Sequence, residues 1–213
     1  MDAPRWNPQL AKRLKGLGGV AFIFLSHRDD VADHARWAEH FPGCTRILHT
    51  SEVNRRQGTE CVSQRRGGTS EGLGSRCGLR GAPDHAATRP LLCSAVEWKL
   101  EGAGPWALGD DCQLLFTPGH TAGCVSLLYA PDRALFTGDT LAWSERLQRL
   151  TIFRAYNWHS VPQQIASVAA LRGHDFLAVL PGHGRRRVFA DAAQREAELG
   201  QLLEAEGFAA AGS

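Results

Sequence analysis

Gln113-Leu114-Leu115-Phe116-Thr117-Pro118-Gly119-His120-Thr121 is the stretch on which the reading of the fold turns. Its first five residues have the length and apolar content of a β-strand. Pro118-Gly119 stops the strand, and the turn carries His120 at the strand's C-terminal end. The same construction recurs downstream. Residues 134–137 (ALFT) run into Thr137-Gly138-Asp139-Thr140, and residues 176–180 (FLAVL) into Leu180-Pro181-Gly182-His183-Gly184. Upstream, residues 20–25 (VAFIFL) form a continuous apolar run suited to a strand buried on both faces. They lead into Ser26-His27-Arg28-Asp29-Asp30-Val31-Ala32-Asp33-His34. The C-terminal ends of strands are where α/β sheets place ligands. The flanking glycines let the backbone turn sharply and approach a ligand closely.

The rest of the chain fits an α/β domain around these strands. Leu10, Leu14 and Leu17 recur at i, i+4 and i+7, which predicts a helix over 9–18 that ends at Gly18-Gly19. A second helix is expected from the polar cluster after Ser26 to about His40, broken by Pro42-Gly43, and a short strand over 45–48. Residues 124–129 (CVSLLY) supply another strand, with Pro131-Asp132 at a hairpin turn. Helices are expected over 162–172, with Ile165, Val168, Ala169 and Leu171 inward, and over 189–206. The chain contains no internal repeat.

With 213 residues and 43% hydrophobic content, the chain can bury an ordinary core. Its formal charge of +2 is too balanced for a nucleic-acid footprint, and no apolar run approaches a membrane span. Neither nucleic acid nor membrane is expected as a partner. The positive sign comes from residues 61–95, which hold five Arg, two acidic residues, six Gly and three Cys. No hydrophobic period survives there, and such a composition cannot offset its own ordering entropy. This stretch is expected to be a disordered insertion in one domain spanning 1–213, either a lineage-specific loop or a retained intron. Six cysteines without a CxxC pair, and no secretory signal at the start, point to a reduced intracellular, cytoplasmic setting, or to a chloroplast if a transit peptide is missing.

Four clusters of His and Asp at strand ends form a pattern that single turns do not explain. Alone, a Pro-Gly-His or Thr-Gly-Asp is an ordinary turn, and Asp29 or Asp30 an ordinary helix N-cap. Together, imidazole and carboxylate donors suit zinc, iron or manganese. Five or six of them suffice for two metals that polarise a carbonyl or phosphoryl oxygen and activate water. His49 and His159 are weaker candidates for the site. Arg185-Arg186-Arg187 offers either an anion-attracting patch or a solvated basic turn, and Trp143 with Ser144 either a pocket wall or core packing.

In the order and content of these clusters, the chain resembles the metallo-β-lactamase fold hydrolases, in a glyoxalase II-like form. The resemblance spans residues 1–60 and 96–206 and implies a four-layer αββα sandwich with a two-metal site at one edge. It implies His120 and His27 as ligands of one metal, Asp139 as a bridge and His183 as a ligand of the other. The family's HxHxDH motif departs after His27. Asp29 stands in place of the second His, and Val31-Ala32 occupy the places of the Asp-His pair. Either Asp29 ligates with Asp33-His34 swinging in, or Asp30 and His34 point at the metal from one helical face. The segment resembles the "HRDDVADH" variant of plant and cyanobacterial members. Relative to the family, the chain resembles one lacking the first strands of one sheet, with Asp2 in an early turn; an exposed sheet edge and lower stability are then expected.

The expected metal set is therefore His27, Asp29, His34, His120, Asp139 and His183. Asp33 is the expected catalytic residue, orienting the hydroxide and shuttling its proton, with Asp29 or Asp30 as substitutes. The function implied is a hydrolase that directs a metal-bound hydroxide at a small-molecule ester, thioester or amide, with one or two divalent ions, zinc foremost, iron or manganese otherwise. The alternatives are a mononuclear iron sulfur dioxygenase-like enzyme and an inactive fragment.

Overall fold

The computed structural model describes residues 2–29, 31–53 and 96–208. The expected insertion at 61–95 and Asp30 lie outside the described residues. Two sheets lie face to face with helices outside them. The first sheet has three parallel strands, β1 (Phe22–Phe24), β2 (Thr45–His49) and β3 (Trp98–Leu100), in the order β1-β2-β3. The second contains β4 (Trp106–Leu108), β5 (Cys112–Phe116), β6 (Val125–Tyr129), β7 (Ala134–Gly138), β10 (Ala178–Pro181) and β11 (Arg187–Val188). Its order is β11-β10-β7-β6-β5-β4, antiparallel except for the parallel pair β10 and β7. A small hairpin, β8 (Ala142–Ser144) with β9 (Arg149–Thr151), follows β7.

Strand alternation sorts the side chains into three apolar layers. Phe24, Ile47, Leu100, Leu114 and Val125 meet between the sheets. Their neighbours Ile23, Leu25 and Leu48 turn the other way, onto Trp37 of α2 (His34–His40) and Ala11 of α1 (Pro8–Gly16). On the opposite face, Leu115, Leu128, Leu135 and Val179 pack against α3 (Val161–Leu171) and α4 (Ala192–Ala205) through Ile165, Val168, Leu171, Leu199 and Leu202. The layers run α, β, β, α, as the resemblance implied.

Each long helix starts on a side-chain cap. Asn7, Ser160 and Asp191 accept backbone N–H groups of Leu10, Gln163 and Gln194, which satisfies donors the helix leaves open. Proline stands in the first turn of α1 and α3, where no N–H is needed. α1 ends at Gly16, so Leu17 falls outside the apolar stripe and is exposed. α4 begins at Ala192 rather than 189 because Phe189 is drawn into the core and Asp191 makes the cap.

The run 20–25 is not buried on both faces throughout. β1 is an edge strand, and its first residue, Phe22, is 49% exposed. The segment before α1 touches that edge, with the Asp2 N–H donating to Phe24 O at 2.7 Å. β3, β4, β8, β9 and β11 went unread because two or three residues carry no measurable period.

Candidate metal centre

The site lies where β1, β5, β7 and β10 end. His120 follows β5 through Pro118-Gly119, and that turn is gripped by α3. A Cβ on Gly119, whose φ is +144°, would stand 2.2 Å from the backbone of Gln164. The Ser167 hydroxyl donates to Pro118 O at 2.6 Å, and the Asn157 amide to Gly119 O at 2.8 Å. Gln164 is buried, and its amide donates to Asp139 O at 3.0 Å and Thr140 O at 2.8 Å. One helix thus fixes the backbones of both His120 and Asp139.

His27 is oriented by side chains instead. The Asp2 carboxylate accepts the Ser26 N–H at 2.7 Å and lies 3.2 Å from the Ser26 hydroxyl, which sits 2.9 Å from His27 Nδ1. With the hydroxyl donating to Asp2, it accepts from Nδ1–H, and Nε2 keeps a lone pair facing the site. Gly138 makes room for this relay, since its Cβ would meet Ser26 Oγ at 2.6 Å.

The resulting group is compact. Ligand atoms of His27, His120 and Asp139 all lie within 4.8 Å of one another. Asp139 Oδ2 is 3.8 Å from His27 Nε2 and 3.6 Å from His120 Nε2. The two imidazoles meet edge to face at 5.0 Å. His183 Nδ1 lies 2.9 Å from Asp139 Oδ1, and Asp29 Oδ2 is 4.0 Å from His27 Nε2. Burial, reinforced by the neighbouring His27, holds the His120 pKa below its ordinary value. The neutral, ligating imidazole is favoured as a result.

A divalent cation fits these residues on one observation in particular. His27 Nε2 is fully buried and has no hydrogen-bond partner, an arrangement that costs free energy unless something accepts its lone pair. It points at a carboxylate and a second imidazole, the donors a zinc or iron ion takes.

Two expected residues go elsewhere. The Asp33 carboxylate accepts the Trp6 N–H at 2.8 Å, tying the segment before α1 to the start of α2. Asp33 is the N-cap of α2 with a left-handed φ of 52°, and its side chain makes no cap bond. His34 is buried behind it, with Nδ1 3.4 Å from Arg46 Nη1. The two residues added between His27 and the Asp-His pair send that pair into the helix that packs on β1 and β2. His49, a weaker candidate for the site, is buried, with Nε2 3.0 Å from Gly102 O and its ring stacked on Phe116. Arg185 and Arg187 are paired with Glu145 and Glu198, and Trp143 lies under the Arg187 guanidinium at 4.3 Å.

Sequence reasoning missed Glu52. This buried carboxylate accepts the Arg28 N–H at 3.1 Å, Arg28 Nε at 3.0 Å and the Gly123 N–H at 2.6 Å. It clamps the loop after His27 to the loop after His120. Nothing about Thr50-Ser51-Glu52 in isolation distinguishes it from a surface turn. Cys124, four residues past His120, is buried and its thiol is pushed up to about 12, mainly by desolvation. Its Sγ accepts the Thr121 N–H at 3.3 Å and lies 3.0 Å from the Thr121 hydroxyl.

A cavity of about 460 Å³ opens over the cluster, lined by Asp29, His120, Asp139, Phe153, Tyr156, Trp158, His183 and Gly184.

No protein-family model matches the sequence. Solved structures do match over most of the chain. The DIM-1 metallo-β-lactamase is 16% identical over 96% of this chain and 80% of its own, with a TM-score of 0.58. The BLEG-1 B3 metallo-β-lactamase is 18% identical over 91% and 83%, with a TM-score of 0.57. An archaeal metallo-β-lactamase superfamily protein from Sulfolobus tokodaii is 16% identical over 88% and 69%, with a TM-score of 0.51. The chain has the metallo-β-lactamase fold.

Proposed function

We propose that the chain is a metal-dependent hydrolase that cleaves an ester, thioester or amide. The observation that carries this is the convergence of His27, His120 and Asp139 around the unsatisfied His27 Nε2 at the floor of a cavity. The fold it shares with metallo-β-lactamases supports the same reading. A divalent ion held by these three residues would supply Lewis acidity toward a carbonyl oxygen and toward water.

The protein's own groups do the rest. Ser26 and Asp2 hold the His27 tautomer, and Gln164 holds the Asp139 backbone. Asp29, half-exposed at the rim, is the carboxylate placed to accept a proton from an attacking water, since Asp33 is committed to Trp6. His183, hydrogen-bonded to Asp139 and open to solvent, is placed to return a proton to the leaving group. With Asp33 and His34 packed elsewhere, we infer one ion per chain, seated on the three clustered residues. Hydrolysis of a generic ester or thioester by purified protein should be lost on chelation and restored by zinc. Hydrolysis that survives exhaustive chelation contradicts the reading.

Two imidazoles and one carboxylate are also the donor set of mononuclear iron(II) oxygenases, and this favours an iron sulfur dioxygenase as a second reading. Iron in the purified protein, with O₂ uptake on a persulfide and no ester hydrolysis, would select it.

A further inference from the structure

We propose that Phe153, Tyr156 and Trp158 form a subsite for an uncharged, apolar group of the substrate, an aryl or long alkyl substituent beside the bond to be cleaved. The chemistry of that bond rests on the hydrolase reading; the subsite itself does not. Three of the eight residues lining the cavity are aromatic, and they sit together on the segment between β9 and α3. Tyr156 is 65% exposed and Trp158 69% exposed. Rings of this size are normally buried for the stabilisation their area provides, so two open rings on the wall of one cavity mark a binding surface.

The backbone that carries the rings is fixed. The Trp158 N–H donates to His120 O at 2.9 Å, and the Tyr156 N–H to Phe153 O at 2.9 Å. Asn157, between the two exposed rings, donates to Gly119 O and to Gln164 Oε1. The segment is thus bonded to the turn that carries His120. A ligand group lying on it shares one cavity with His120 and Asp139.

Away from the metal cluster, the wall offers no counter-charge to an anion. No Arg or Lys is among the described residues lining the cavity, while two carboxylates are. The arginines next in sequence to lining residues are paired, Arg28 with Glu52 at 3.0 Å, Arg154 with Glu206 at 2.6 Å and Arg185 with Glu145 at 3.0 Å. Away from the metal cluster, an acidic acyl group would meet no counter-charge from the wall, whereas a neutral apolar one would meet aromatic surface.

Two measurements on the full chain test this. The first compares hydrolysis of the S-methyl thioesters of phenylacetic acid and of succinic acid, which differ only in the acyl group. The wild-type kcat/KM ratio should favour phenylacetyl by at least about tenfold, and Trp158→Ala and Tyr156→Ala should each reduce it by about tenfold, as expected for losing part of one aromatic contact. A ratio near one in the wild type, or unchanged in both variants, overturns the proposal. The second needs no turnover. Benzyl methyl ketone, neutral and inert to hydrolysis, should quench tryptophan fluorescence saturably in the wild type and not in Trp158→Phe, while succinate should do neither. Quenching without thioester hydrolysis would retain the subsite and remove the hydrolase reading. Absent saturable quenching, or quenching that survives in Trp158→Phe, removes the subsite whatever the hydrolysis shows.

Discussion

In the six-stranded half of the molecule, His120 and Asp139 stand on glycine-shaped turns whose backbones are gripped by α3. In the three-stranded half, His27 stands at the end of a short edge strand and is aimed by a relay of side chains, Asp2 to Ser26 to His27. The first arrangement is steric and depends on close approach of two backbones. The second is polar and depends on three hydrogen bonds. Damage to the first should unfold the protein locally, whereas damage to the second should leave it folded and loosen the ion.

The largest effect is expected from Gly119→Ala. The new Cβ would overlap the Gln164 backbone at 2.2 Å from a φ of +144°, so a stability loss of at least about 3 kcal/mol is expected in denaturant unfolding. A loss below about 1 kcal/mol would show that α3 yields, and the steric account of this half would break.

Glu52→Ala comes next, because it severs the clamp that joins the two halves. It removes a buried acceptor of the Gly123 and Arg28 N–H groups and leaves the former unsatisfied. Arg28 is half-exposed, so solvent screens part of the charge interaction. The expected cost is about 2 kcal/mol, with metal content lowered through the misplaced loops. Ser26→Ala should cost only about 1 kcal/mol of stability. Its main effect should be a 10- to 100-fold weaker zinc affinity by competition with a chelator, the magnitude usual for the group behind a histidine ligand. Equal affinity would mean that the His27 tautomer needs no relay.

The smallest effect separates the two segments of the His27 loop. Asp33→Ala should lower stability by about 1 kcal/mol by releasing the Trp6 N–H, with kcat within about twofold of wild type. A hundredfold loss of kcat would return Asp33 to the proton-transfer role that the sequence suggested.

The difference between the halves also explains what could be read from the sequence. Thr117-Pro118-Gly119-His120 and Thr137-Gly138-Asp139 declare themselves because close packing on α3 and on Ser26 demands glycine at fixed places. Strands β5, β6 and β7, five residues each, carry enough pattern to be found. In His27 to His34, by contrast, six charged or ligating residues compete within eight positions, and composition cannot say which face the site. That was decided by Asp33 meeting Trp6 and by His34 meeting Arg46, contacts 27 and 12 residues away in sequence. Glu52 was hidden for the same reason, since its role depends on a partner 71 residues distant. Nor was the aromatic platform legible, since only its bonds to Gly119 and His120 place it over the cluster.

Elemental analysis of the purified chain tests the metal centre most directly. The wild type should carry about one divalent ion per chain, and His120→Ala and Asp139→Ala should each lose most of it while remaining folded by circular dichroism. Metal content unchanged in both variants would contradict the account.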